Sequence, residues 1–169
     1  MKNSLEHILR FISLVLIQIF VLNSIQISGY LYPNVYILFI MLLPAKFPKF
    51  LVLCLGLLLG IIIDAFTDSY GTHSSATVLI SYLRPKILSL VSIKGGEELE
   101  NISMKHLKYE RFFTYSGIIC FIHHFTLFYL EAFRVSELFE SLWRALVSSI
   151  LTLILILILE LSRSKYIKI

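Results

Sequence analysis

Charge is what this chain has least of. Asp, Glu, Lys and Arg make up 15% of its 169 residues, against 57% hydrophobic ones. Mean hydropathy is +0.84, and a water-soluble domain of this length has too little interior to hide so much apolar surface. Lipid is therefore the expected solvent for most of the chain. Cysteine is equally scarce. Cys54 and Cys120 each lie inside an apolar run, where a thiol behaves as a small hydrophobe, so neither a disulfide framework nor a metal site is expected. No phosphate-cradling glycine loop, serine elbow, paired metal-ligand motif or regular carboxylate dyad occurs, and neither catalysis nor a cofactor is expected. The net charge of +4 is no nucleic-acid footprint, because the Lys and Arg residues sit at the ends of apolar runs, where they set membrane orientation.

The uncharged runs are long. Phe11 to Ala45 contains no charge over 35 residues, and Phe112 to Leu130 none over 19. Runs of about 18 or more such residues read as bilayer spans. A single helix of the first run would be about 52 Å long at about 1.5 Å per residue, well beyond a hydrocarbon core of about 30 Å. It must fold back, and Ser28-Gly29 with Pro33-Asn34 supplies the turn chemistry. An all-α polytopic membrane protein follows, a single integral membrane domain of about six transmembrane helices over residues 8–27, 31–43, 50–66, 72–93, 112–130 and 138–161, with a polar loop over 94–111. In the fourth, Arg84-Pro85-Lys86 breaks the apolar stretch, and both cations are expected to snorkel to the interface. Lys2 and Arg10 precede an apolar stretch as in a secretory signal, but Asn23-Ser24-Ile25-Gln26 lacks a small-x-small cleavage pattern, so an uncleaved first span is expected.

Six crossings put both termini on one face. All fifteen Lys and Arg residues except Arg134 and Arg144 then lie on that face, and the positive-inside bias makes it the cytoplasmic one. The loop over 94–111 is read as solvated, with basic members able to meet anionic headgroups or a cytoplasmic protein.

Gly56, Gly60 and Asp64 follow one another at intervals of four and share one helical face. Small residues at this spacing let helices approach closely, either within the chain or against a partner helix. Asp64 ends its helix, where the macrodipole disfavours an anion, so compensation is expected from Arg144, Arg134 or His73, or from hydration. It lies about 22 Å along the helix from Lys49, near the outer interface. His123 and His124 are adjacent and so about 100° apart on a helix, unsuited to an i, i+4 metal pair; at least one is expected to face the bundle and hydrogen-bond. Gln18, Asn23 and Gln26 either bridge helices or line a ligand cavity, bridging being the commoner use.

Four stretches together carry a resemblance: Leu16-Ile17-Gln18 within a Lys/Arg-led first helix; Tyr32-Pro33-Asn34-Val35; Gly56-Leu-Leu-Leu-Gly60-Ile-Ile-Ile-Asp64; and Tyr70-Gly71-Thr72-His73. In these stretches and in its layout of spans the chain resembles the MreD rod shape-determining proteins of bacteria. The resemblance implies a six-helix inner-membrane protein, similar in fold to the substrate-binding subunits of energy-coupling-factor vitamin transporters, without known catalysis. It implies association with MreC in the assembly that links MreB filaments to the peptidoglycan synthases of cell-wall elongation. Gly56, Gly60, Asp64, Gly71 and His73 are the positions that match the family block. The same layout leaves a different function open, a small-molecule-binding subunit of a transporter, for which Asp64, Asp68, Tyr70, His73 and Trp143 would supply an outer polar and aromatic cluster.

Overall fold

Hydrocarbon offers a backbone N–H or C=O no hydrogen-bond partner, so each segment must satisfy its own polar groups or be covered by one that does. Both solutions occur. A computed structural model describes residues 2–24, 32–92 and 102–166, and the described residues are mostly helical with no strand. Helix α1 (Lys2–Ile17) passes into a π-helical turn, Gln18–Leu22; α2 is the single short turn Ile37–Met41; α3 spans Lys49–Thr67; α4 spans Thr72–Val91. After them come α5 (Met104–Leu107), α6 (Tyr109–Ala132), a 3₁₀ turn at Val135–Glu137 and α7 (Leu138–Tyr166). Among the described residues, four stretches are long and apolar enough to cross a membrane: Leu5–Leu22, Lys49–Thr67, Tyr109–Ala132 and Val135–Arg163. They carry large apolar side chains outward, among them Leu9, Phe20, Leu58, Phe113, Ile154 and Ile158. A water-facing surface would not hold so many.

The segment expected as a second membrane helix over 31–43 takes a different form. Between Tyr32 and Pro48 the only α-helical turn is α2, and every residue from 33 to 43 is buried. This stretch passes through the interior of the bundle, from the end where α3 finishes to the end where it begins. Non-helical backbone is tolerated at membrane depth when protein covers it and polar side chains satisfy it, and four side chains do so here. Gln18 Nε2 donates to the Pro33 carbonyl at 3.0 Å, and Gln18 Oε1 accepts from the Val35 N–H at 2.9 Å. Thr152 Oγ1 accepts from the Asn34 N–H at 3.0 Å. Tyr115 Oη donates to the Met41 carbonyl at 3.1 Å, and Arg84 Nη2 donates to that of Leu43. The bridging role expected of Gln18 is thus helix to irregular segment, and the π-turn that Gln18 opens is the kind of local unwinding that re-aims a side chain.

Arg84 does not snorkel. It is 2% exposed and α4 continues through Pro85 to Val91, because the guanidinium has a carbonyl partner inside the protein. With Arg84, Lys86 and a run of hydroxyl residues, α4 is too polar to count among the four apolar helices, and it packs between α3 and α6 instead. The expected turn at Ser28-Gly29, the side chain of Gln26 and residues 94–101 of the polar loop lie outside the described residues. What is described of that loop is not simply solvated: Ile102, Met104 and Leu107 are buried, and the Met104 N–H faces Glu160 Oε2 at 3.5 Å.

Candidate functional site

Gly56 and Gly60 set the distance between α3 and α4. A Cβ built on Gly56 would collide with Ser81 Oγ and lie 3.2 Å from the Thr77 carbonyl; one built on Gly60 would collide with Ser74 Cα and lie 2.8 Å from Ser74 N. The small-residue face is therefore closed by the chain's own next helix, which answers the choice between an internal and a partner seam. Four residues after α3 ends at Thr67, Gly71 turns the chain at φ +87°, a left-handed conformation that costs a residue with Cβ about 1–2 kcal/mol.

That turn aims the start of α4 at the end of α3. Asp64 Oδ1 accepts the His73 N–H at 3.0 Å and the Ser69 hydroxyl at 2.7 Å. Oδ2 accepts the Ser74 N–H at 2.9 Å and the Ser74 hydroxyl. The acid is unfavourable to its own helix and favourable to the next, where it meets free N–H groups and the positive end of a dipole. Compensation comes from this helix start and not from a cation. Arg144, expected as a possible partner, lies 3.8 Å from Glu131 and 4.4 Å above the Phe128 ring; Arg134 pairs with Glu137 at 3.5 Å.

Held this way, His73 faces the interior. Tyr36 Oη lies 2.7 Å from His73 Nδ1 and 2.9 Å from His123 Nε2, so one buried hydroxyl joins α4 to α6 through the irregular segment. His124 bonds the Cys120 carbonyl through Nδ1 at 2.8 Å and meets Thr152 Oγ1 at 3.2 Å through Nε2. Both histidines are fully buried. Asp64, His73, Tyr36, His123, His124 and Thr152 thus form a nearly continuous polar seam through an apolar bundle. No group of three metal-ligating side chains occurs among the described residues.

Compared with protein-family models, curated proteins and solved structures, the chain matches none.

At the Asp64 end the seam opens on a cavity of about 340 Å³, lined by Asn23, Tyr32, Asn34, Phe66, Thr67, Ser69, His73, Leu127, Glu131 and Arg144. Of the expected site residues, His73 and Arg144 line this cavity, while Gly56 and Gly60 lie at the contact of α3 with α4. Sequence reasoning did not single out Tyr36, Thr152 or Glu131. Thr152 had a signal, since Ser148, Ser149 and Thr152 recur at helical spacing in an otherwise aliphatic helix. Tyr36 had none, because a tyrosine in an apolar run does not advertise its partners.

Proposed function

We propose that the chain is a non-catalytic inner-membrane scaffold of the cell-wall elongation assembly, as its resemblance to the MreD proteins implies. In this reading it binds MreC and helps couple MreB filaments to peptidoglycan synthesis. The supporting observation is that the block carrying the resemblance behaves as one unit: Gly56 and Gly60 seat α4, Gly71 turns the chain, and Asp64 receives the N–H of His73. Scattered chance matches would not be expected to depend on one another this closely. Because α4 covers the glycine face, MreC would be met by lipid-facing surface, such as the exposed row Leu5, Leu9, Ile12 and Leu16 of α1.

Depletion in a rod-shaped host is expected to give rounded, swollen cells, and affinity capture of the chain from detergent extracts to bring MreC with it. Unchanged rods after clean deletion would defeat the proposal. The orientation is testable separately. Reporter fusions after Ile169 and within 94–111 are expected to report the cytoplasm, since the basic residues then lie inside; periplasmic activity at either place would remove the six-crossing topology.

A second reading, a small-molecule-binding subunit of a transporter, is favoured by the polar cavity at the Asp64 end. Adjacent genes for a filament protein and MreC would support the scaffold, and a neighbouring solute-uptake pathway the transporter.

A further inference from the structure

At the end of the bundle where α3 begins, three cations and a helix start converge on one cavity. It is about 430 Å³ in volume and is lined by Lys46, Pro48, Lys49, Val52, Arg84 and Pro85. Lys46 and Lys49 are exposed, whereas Arg84 is buried. The Leu43 carbonyl accepts from Arg84 Nη2, which satisfies an N–H group and leaves the charge in place. Among the described residues Arg84 enters no ion pair. Its contribution to the cavity is therefore its field, not a donated hydrogen bond, and a low-dielectric wall weakens that field little. The start of α3 adds to it. The first turn of this 19-residue helix holds no acidic residue and no side chain caps it, so its leading N–H groups and the positive end of its dipole favour an anion.

Beside this cavity lies one of the opposite character. About 340 Å³ in volume, it is lined by Ile8 and Phe11 of α1, Phe39 and Leu43 of the buried segment, and Leu55 and Leu58 of α3. Phe47 lines both cavities. Leu58 is nine residues along α3 from Lys49, or about 14 Å, so the apolar groove runs from the interface well into the hydrocarbon. Ile8 and Leu58 are exposed at its rim, which leaves it open to lipid.

We propose that the two cavities together hold one anionic phospholipid, its phosphate against Lys46, Lys49 and the start of α3, and one acyl chain along the groove between α1 and α3. The paired cavities complement an acidic group at interface depth joined to an apolar chain that runs inward, and an anionic lipid brings both on one molecule. A zwitterionic lipid fits the groove equally but lacks the net charge that the three cations select. The site lies at the opposite end of the bundle from the Asp64 cavity and depends on neither functional reading above.

The test uses the full chain purified in a neutral detergent, with the thermal unfolding midpoint as readout and native mass spectrometry to count the lipids retained. The probes are phosphatidylglycerol, phosphatidylcholine with the same acyl chains, and glycerophosphoglycerol, which is the first without its chains. Phosphatidylglycerol is expected to raise the midpoint saturably, to be retained as one molecule per chain, and to bind about tenfold or more tightly than phosphatidylcholine. Glycerophosphoglycerol at the same concentration is expected to have no effect. Lys46→Gln with Lys49→Gln should remove most of the preference. Lys86→Gln with Lys108→Gln, which alters exposed cations at the same end but outside the cavity, should keep it. Leu58→Trp, which fills the groove from its rim, should weaken phosphatidylglycerol about tenfold; if that variant does not accumulate, the glycerophosphoglycerol comparison on the unmodified chain decides the acyl part. Three results would each overturn the proposal. Equal affinity for the two lipids, or equal loss from the two lysine pairs, would reduce the effect to general surface charge. Stabilisation by glycerophosphoglycerol would replace the lipid with a soluble anion. Binding unchanged by Leu58→Trp would leave the groove to another occupant, such as a partner helix.

Discussion

Gly60→Ala is expected to abolish most membrane accumulation of the chain, and Gly56→Ala to reduce it far less. The two glycines look equivalent in sequence, four residues apart on one face, yet they meet different atoms. A Cβ on Gly60 runs into Ser74 Cα and the Ser74 N–H, which are main chain at the start of α4 and cannot rotate away. Relief requires moving the whole helix, and with it the N–H groups that Asp64 holds. Overpacking of this kind costs about 1–3 kcal/mol, occasionally more, and lipid supplies no hydrophobic gain to offset a wider separation. A Cβ on Gly56 runs first into the hydroxyl of Ser81, a side-chain atom that is buried without a partner and can turn or be removed. Ser81→Ala should therefore recover much of what Gly56→Ala loses and nothing of what Gly60→Ala loses. Quantitative immunoblotting of membranes, with unfolding in detergent on whatever accumulates, measures both. Equal damage from the two alanines, or rescue of Gly60→Ala by Ser81→Ala, would mean that α3 and α4 are spaced by something other than this contact.

The parts of the fold that were legible are those lipid itself selects. An uncharged run long enough to cross hydrocarbon has few alternatives to a helix, so α3, α6 and α7 stand near the residues where charge disappears and returns. The Tyr32–Leu43 segment was not legible as what it is. Its apolar residues are consistent with a lipid-exposed helix or with an irregular segment buried on all sides, and hydropathy cannot separate the two. What separates them is a set of polar side chains on distant elements, Gln18, Arg84, Tyr115 and Thr152, whose common task of satisfying one irregular backbone exists only once the chain has folded. Arg84 was misplaced for the same reason. A cation beside a proline reads as an interface residue unless its partner is visible, and that partner is the carbonyl of Leu43, which any residue could have provided. The cavity was half legible. An outer polar cluster was expected, and His73 belongs to it, but Glu131 and Arg144 come together only through the packing of α6 on α7.

Asp64 carries the second large effect. Its compensation was expected from Arg144, Arg134 or His73 or from hydration, and four hydrogen bonds, one of them from the His73 N–H, supply it at a helix start within ten residues of sequence. Asp64→Ala is expected to destabilise the chain by about 2 kcal/mol or more, since it orphans the N–H groups of His73 and Ser74 and removes the acceptor for two hydroxyls. Asp64→Asn should fall between. Whichever way the amide is turned, its NH₂ replaces one of the two oxygens and faces a backbone N–H that is also a donor, so about half of the arrangement survives. The order Asp, Asn, Ala is the content of the prediction, together with insensitivity to Arg144: if Asp64 were an ion-pair partner, Arg144→Met would cost as much as Asp64→Ala and the double variant no more than either. The capping geometry predicts instead that the two losses add, because Arg144 spends its charge on Glu131 and Phe128 and shares no hydrogen bond with Asp64. A double-variant cycle on unfolding midpoints in detergent reads this directly, and a coupling as large as the Asp64→Ala effect itself would return Asp64 to the cation and take the start of α4 away from it.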